Sequence, residues 1–462
     1  MAYSGGEQPA GRAWLVPLSA ALLLAGCETY APRPATEESL ARDVAPPEAA
    51  QLAREAANLK HPLLGPVEIG ADGSMTPQGA AVVAVIQNPS LRAARAQRGV
   101  AAAQLLQAGI LPNPQLSLSM DFPISGATNG TLTAYGVGAS WDVTALITHE
   151  QEQLAAAHAA QAVNLEVAWQ EWQVALGAKL HAARALWLTR ECKELESQVS
   201  QAEEVLQASR ENTREGLQTV IDEQAAAAMV EKRRSALLAS RTELSSEQGM
   251  LCQAMGLPIG TPVRLVEEPG EASPAPGERW VDEAISNSRL DLAALRAGYA
   301  SQESKVHAAV QSQFPKIGLG FTRARDTSDV GTIGFGITLD LPVFDRGQGR
   351  IGVERATRQQ LFEELAARTF DAKADAMRAR EELMSLEPQI EQASRTADRL
   401  TELAETLKAA RTEGLTDAIQ ENQAAGDAAD ARLGVMNLRR QQDELRIGLE
   451  AATGRLLEGA MP

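Results

Sequence analysis

Aromatic residues make up only 4% of this 462-residue chain, although 44% of it is hydrophobic. A large α/β enzyme core uses more Phe, Tyr and Ile; an alanine-rich apolar fraction favours long, closely packed helices instead. Cysteine is scarce as well. Cys27, Cys192 and Cys252 form no CxxC pair and no Cys/His cluster with zinc spacing. The five histidines (His61, His149, His158, His181 and His307) are scattered, and His149 and His158 fall on opposite faces of a helix. Basic residues are the minority charge, 43 against 60 acidic, for a formal charge of −17, so the chain lacks the basic stripe of a nucleic-acid binder. No apolar run reaches 18 residues, which excludes a helical membrane span. Neither a nucleophile elbow nor an HExxH motif is present, and acids such as Glu381-Glu382 read as solvated helix faces, so the chain does not read as an enzyme.

Arg12 precedes an apolar stretch, Trp14 to Ala25, that suits a signal segment. It ends Leu24-Ala25-Gly26-Cys27, which resembles the lipobox of bacterial lipoproteins. That resemblance implies a signal peptide over residues 1–26 and acyl chains on Cys27; with Glu28 in place of Asp, it implies the outer membrane. The lipid is the one covalent group expected, and no other cofactor or metal is. Residues 27–78, rich in Pro, Ala and Glu, read as an extended arm.

The remainder is one unit written twice, with a period near 198 residues. Arg214-Glu215-Gly216-Leu217 is echoed by Thr412-Glu413-Gly414-Leu415, and Ile221 and Glu223 by Ile419 and Glu421. Trp141-Asp142-Val143 aligns with Leu339-Asp340-Leu341, and Met255-Gly256 with Thr453-Gly454. The units span residues 79–256 and 280–456. A proline-rich linker, 257–279, separates them, and 457–462 form a tail. Each unit reads helix, strand, strand, very long helix, turn, helix. The first helices are expected over about 77–110 and 280–313, ended by Pro112 and Pro114 and by Pro315.

Four strands carry the clearest physical signal. Leu116, Leu118, Met120 and Phe122 alternate with Ser117, Ser119 and Asp121. Tyr135, Val137, Ala139, Trp141 and Val143 alternate with Gly136, Gly138, Ser140 and Asp142. Ile317, Leu319 and Phe321 alternate with Gly318, Gly320 and Thr322, and Ile333, Phe335, Ile337, Leu339 and Leu341 with Gly334, Gly336, Thr338 and Asp340. Runs near ten residues, bulky on one face and small or polar on the other, suit strands of a membrane barrel. Four strands close no barrel, and an open edge is not tolerated in lipid, so the barrel must be shared between copies.

The long helices are expected over about 150–212 and 349–411, each roughly 94 Å at 1.5 Å per residue. Leu165, Trp169, Trp172, Leu176, Leu180, Ala183 and Trp187 form a coiled-coil-like seam that reads as core. Antiparallel return after Gly216 places Cys192 beside residue 239 and roughly 20 Å from Cys252, too far for a disulfide.

On the duplicated unit, the paired hairpins, the Glu-Gly-Leu turns and the Leu341-Pro342-Val343-Phe344-Asp345 junction, residues 78–456 resemble the TolC-like outer-membrane efflux proteins. Leu111-Pro112-Asn113-Pro114 and Asp345-Arg346-Gly347-Gln348-Gly349 look most like the heavy-metal branch with the CzcC and CusC proteins. The resemblance implies a mainly α fold with membrane β: a homotrimer with a twelve-stranded outer-membrane barrel, four strands per protomer, continued by a long α-helical periplasmic barrel. It implies a passive duct for heavy-metal cations, working with a periplasmic adaptor and an inner-membrane pump of the RND type. The alternatives are a duct for drugs or secreted protein, and a periplasmic coiled-coil scaffold. Gly216, Leu217, Gly414 and Leu415 then form the periplasmic tip that meets the adaptor. Arg214, Asp222, Glu223, Asp417 and Glu421 are the candidate aperture, with Arg214 holding it shut through an ion pair.

Overall fold

The computed structural model of the protein describes residues 29–44, 48–126, 130–267, 274–413, 415–416 and 418–457. The signal peptide, Cys27, Gly414, Asp417 and most of the C-terminal tail lie outside the described residues. The chain up to Ala45 forms a unit of its own, whose described part carries helix α1 (Glu37–Val44); everything below concerns the second unit, from Pro46 on.

The arm is not wholly extended. Helix α2 (Ala49–Ala57) buries Ala56 and packs Leu52 against the core, because its apolar positions recur at helical spacing. Beyond it, Leu64 is buried among Trp169, Trp172 and Ile447, and β1 (Ser74–Met75) follows.

Each repeat then opens with two helices where one was expected: α3 (Pro77–Gln87) and α4 (Pro89–Ala108) in the first. The reason is Pro89, which has no N–H to donate and forces the preceding residue out of helical backbone; Asn88 sits at ψ 122 and caps the next helix through Ser90 N. In the second repeat, α7 (Glu278–Ser288) and α8 (Leu290–Gln311) part at Arg289, ψ 102. Both breaks dock in the same way. Asn88 Nδ2 donates to Ala254 O and Arg289 Nη1 to Ala452 O, each at 2.8 Å. Those carbonyls are one sequence period apart. The next glycines, Gly256 and Gly454, take φ +70 and +71, and a Cβ on either would meet the break at 2.8 Å. The Met255-Gly256 and Thr453-Gly454 match is therefore a packing contact, repeated.

The long helices are α5 (Ala145–Arg214) and α9 (Gln348–Thr412), 70 and 65 residues, or roughly 105 and 98 Å. Pro388 sits on the exposed side of α9 and does not end it. The return helices are α6 (Val220–Ala254) and α10 (Ala418–Thr453). Trp169, Trp172, Leu176 and Ala183 fill the core as the seam predicts. Trp187 instead donates its indole N–H to Asp443 at 2.7 Å. Ala175, Ala178 and Ala182 are fully buried, and their small side chains let the helices approach closely; this is the use of the alanine excess. Cys192 meets Ser240 at 3.3 Å, one residue from the expected position, and Cys192 and Cys252 are buried free thiols. The linker holds β4 (Arg264–Leu265), which pairs in parallel with β1, and ties to the long helices through Arg190–Glu267 at 2.5 Å and Arg380 to Pro276 O at 2.9 Å.

One buried carboxylate fastens the arm to this framework. Glu171 faces His61 Nε2 at 3.5 Å, Arg95 at 2.5 Å and Arg98 at 3.1 Å. Burial alone would raise its pKa, but the nearby His61 ring, the hydrogen bond from Arg95 and the charges of Arg95 and Arg98 outweigh it, leaving a value of about 2. Because the folded value lies below the ordinary 4.5, the stabilisation is complete above pH 4.5 and is lost as pH falls toward 2. Glu171→Gln is expected to cost about 2–3 kcal/mol at pH 7. It should also flatten the loss of stability between pH 4.5 and 2 in urea melts; an unchanged acid limb would show that Glu171 is not the group responsible.

Candidate functional site

Strands β2 (Gln115–Asp121), β3 (Ala134–Asp142), β5 (Lys316–Arg325) and β6 (Gly331–Asp340) form one antiparallel sheet in the order β2-β3-β5-β6. Its register sorts the side chains into two faces, since directly opposed residues share a face. Leu116, Ala139, Phe321 and Phe335 form one row; Leu118, Val137, Arg323 and Ile333 form the next. Ser117, Gly138, Thr322 and Gly334 lie on the opposite face. The bulky face is bare: Leu118, Ile333, Phe335 and Ile337 are each two-thirds exposed or more. The outer edges of β2 and β6 are unpaired among the described residues.

Two motifs join this sheet to the helices. Pro112 O accepts the Trp141 indole N–H at 2.8 Å, locking the Leu-Pro-Asn-Pro turn to the base of β3. Gly347, at φ +74, donates to Asp345 Oδ1 at 2.8 Å and starts α9. Their spacing is thus set by the sheet-to-helix junction.

At the far end of the long helices, Gly216 takes φ +75 and Leu217 N donates back to Asn212 O at 2.8 Å, closing α5. Thr219 then caps α6 in a reciprocal box with Asp222: Asp222 Oδ2 accepts from Thr219 N at 3.0 Å and from its hydroxyl at 2.8 Å. Those two bonds hold the Asp222 carboxyl below its ordinary pKa. Leu217 and Leu415 are exposed, at 71% and 74%.

Residues 280–455 match the outer membrane efflux protein family. The match covers the second unit. The first unit repeats the same helix break, hairpin, long helix and glycine-closed return. Solved structures share the fold. A CusC structure superposes with a TM-score of 0.68 at 17% identity, over 87% of this chain and 99% of that one. The outer membrane protein VceC of Vibrio cholerae gives 0.66 at 16%, over 83% and 97%. The open-state MtrE outer membrane channel of Neisseria gonorrhoeae gives 0.63 at 18%, over 84% and 91%. No curated protein matches the sequence.

The aperture candidates do not act as one group. Asp222 is committed to its helix cap. Glu223 lies 3.6 Å from Arg210, and Glu421 accepts from Arg411 at 2.6 Å. Arg214 is exposed and makes no ion pair among the described residues. A basic residue near the end of each long helix pairs instead with an acid near the start of the return helix. Sequence spacing places Arg210 and Arg411 only by turn, whereas which side of a 70-residue helix faces its partner is a matter of supercoiling. Their signal was position: cations belong at helix C-termini.

Above the tip, a groove of ≈ 270 Å³ opens between α5, α6, α10 and the end of α9, lined by Val205, Asn212, Met229, Arg233, Arg411 and Gln423 among others. Cross-braces hold the two helical hairpins together along their length. Arg233 pairs with Asp430, Arg432 with Glu194 at 2.8 Å, Arg440 with Glu243 at 3.3 Å, and Arg184 with Glu444 at 2.9 Å. Lys179 and Glu450 form a buried pair at 2.8 Å. Among the described residues no group of three or more His, Cys, Asp or Glu is placed to hold a metal ion.

Proposed function

We propose that the chain is the outer-membrane duct of a tripartite efflux system. Three copies close a twelve-stranded barrel, and their long helices continue it as a periplasmic tunnel. Cargo passes without chemistry from an inner-membrane pump of the RND type and a periplasmic adaptor that docks at the Gly216-Leu217 and Gly414-Leu415 tips. The observation that carries the reading is the open meander with a bare apolar face. Its strands alternate in direction, so β6 of one copy meets β2 of the next antiparallel, and closure leaves no backbone group facing lipid. The cargo we assign is heavy-metal cations. That assignment rests on the resemblance of residues 111–114 and 345–349 to the heavy-metal branch, and the acidic excess suits a cation path. Drug or organic-solute efflux is the second reading, favoured by the absence of a metal-holding group among the described residues.

The test is fractionation and conductance. The protein should appear in outer-membrane fractions as a heat-sensitive oligomer and form cation-selective pores in planar bilayers. Recovery as a soluble periplasmic monomer overturns the duct.

The tip pairs set the resting aperture. Arg411→Ala should raise resting conductance several-fold, and Glu223→Gln with Glu421→Gln should lower cation selectivity without loss of oligomer. Arg214→Ala should leave both unchanged. A large conductance change in Arg214→Ala alone would return the latch to that residue.

Cys27 anchors the mature chain through its lipid. Radioactive fatty acid should label the wild type and not Cys27→Ser, which still assembles because the barrel inserts by itself. Labelling that survives the substitution rules out Cys27 as the acceptor.

A further inference from the structure

The charged residues of the sheet are sorted by sign. Asp121, Asp142 and Asp340 all stand on the small-residue face, and Lys316, opposite Asp340, stands with them. On the bulky face, Arg323 and Arg325 are the charged residues among the described strand positions. In a chain of net charge −17, placing both of them there is the opposite of a chance draw toward acid.

Their height on the sheet is as specific as their face. Arg323 shares its row with Leu118, Val137 and Ile333, and Arg325 shares the next with Met120 and Tyr135. Below them run Phe321 with Phe335, Leu319 with Ile337, and Ile317 with Leu339; Leu341 continues the β6 face. From Leu341 to Arg325 the rows advance ten residues, roughly 33 Å along the strands, or about 25 Å along the barrel axis at the usual tilt. That is the height of the apolar band of a membrane barrel. The two arginines therefore sit at its upper margin, on the side away from the helices, with Tyr135 beside them as an interfacial aromatic.

Arg325 pairs with Asp329 in the β5–β6 turn, where Asp329 is held at φ +69 and Asp326 accepts from Ser328 N and Val330 N. Arg323 is exposed and pairs with no carboxylate among the described residues. One fixed and one free guanidinium, two residues and roughly 7 Å apart on one face, suit phosphate oxygens, which the planar fork of arginine binds in pairs of hydrogen bonds.

We propose that Arg323 and Arg325 form a binding site for the phosphate groups of an outer-leaflet lipid headgroup, seated against the outside of the barrel. The site rests on the barrel reading above. It reads lipid and leaves the cargo path untouched, because both side chains lie on the face away from Gly320, Thr322 and Ala324.

The test uses the full-length oligomer purified in a neutral detergent. Bisphosphorylated lipid A should raise its dissociation temperature at about tenfold lower concentration than lipid A stripped of phosphate, and phosphatidylcholine should act like the stripped lipid. Arg323→Gln with Arg325→Gln should erase the difference, while Arg323→Lys, a point charge without the fork, should retain part of it. Should the double variant fail to assemble, the wild type decides alone: the preference must disappear between 0.1 and 0.5 M salt, since it is electrostatic. An oligomer that forms but responds equally to the two forms of lipid A overturns the lipid site. Failure to recover any oligomer overturns the barrel instead, so the two failures are distinct.

Discussion

Phe335→Lys is expected to abolish the outer-membrane oligomer, whereas Gly336→Ser, one residue away, should leave it nearly intact. Phe335 is 85% exposed and stands in the row of Leu116, Ala139 and Phe321, with its ring 5.3 Å from that of Phe321. That row lies in the middle of the apolar band. A lysine facing lipid there costs about 2–4 kcal/mol in each copy. Every copy in the ring carries the same penalty, so assembly collapses instead of weakening. Gly336 points to the other face, and a Cβ built on it meets nothing within 4 Å. A serine there faces water. Heat-modifiable oligomer from outer-membrane fractions gives the readout. Equal behaviour of the two variants would mean that the faces have been assigned the wrong way round.

The second large effect lies far from the sheet. Gly454→Ala should unfold the junction between the second pair of short helices and its return helix. The backbone there is at φ +71, where an L side chain is strained, and the new methyl would lie 2.8 Å from Ser288 O and 3.1 Å from its carbonyl carbon. Backbone atoms cannot swing aside as a flexible side chain does. Strain and overpacking together amount to about 2–5 kcal/mol. Gly256→Ala, against Pro89 and Asn88, should behave the same way in the first repeat. Gly434→Ala, on an exposed turn of α10 with open space around it, should instead stabilise by up to about 1 kcal/mol. Denaturant melts followed by circular dichroism separate the three. Similar midpoints for Gly434→Ala and Gly454→Ala would show that the glycine contact does not hold the junction.

Local rules made some of these elements readable in the chain. The hairpins were visible because a strand whose two faces meet different surroundings must alternate, and no helix gives that period. The long helices were visible because nothing between residues 145 and 214 interrupts an alanine-rich seam. The position of Cys192 against Ser240 followed from counting equal distances on either side of Gly216, since antiparallel helices share one rise per residue. Pro89 was equally visible, yet the helix was read through it. Proline at that position marks a break as readily as a first turn, and the carbonyl on which Asn88 docks, that of Ala254, is far off in sequence.

The sequence by itself determined the strands, the long helices, the duplication, the alternation of the sheet residues and the glycine turns, all of which show in the order and period of residues along the chain. Tertiary structure decided what depends on which side of one element meets another. It broke the opening helices and seated each break on the glycine that closes the return helix 198 residues apart. It drew the arm into the core through His61 and Glu171. It paired Arg210 with Glu223 and Arg411 with Glu421 at the tip, and spent Asp222 on a helix cap. It also placed Arg323 and Arg325 in the rows of Leu118 and Met120, which no count along a single strand can show. The physical reason is common to all of these. Charge pairs and close packing are governed by distances of a few ångströms between distant parts of the chain, and a 105 Å helix accumulates enough rotation that its contact face is set only by what it winds against.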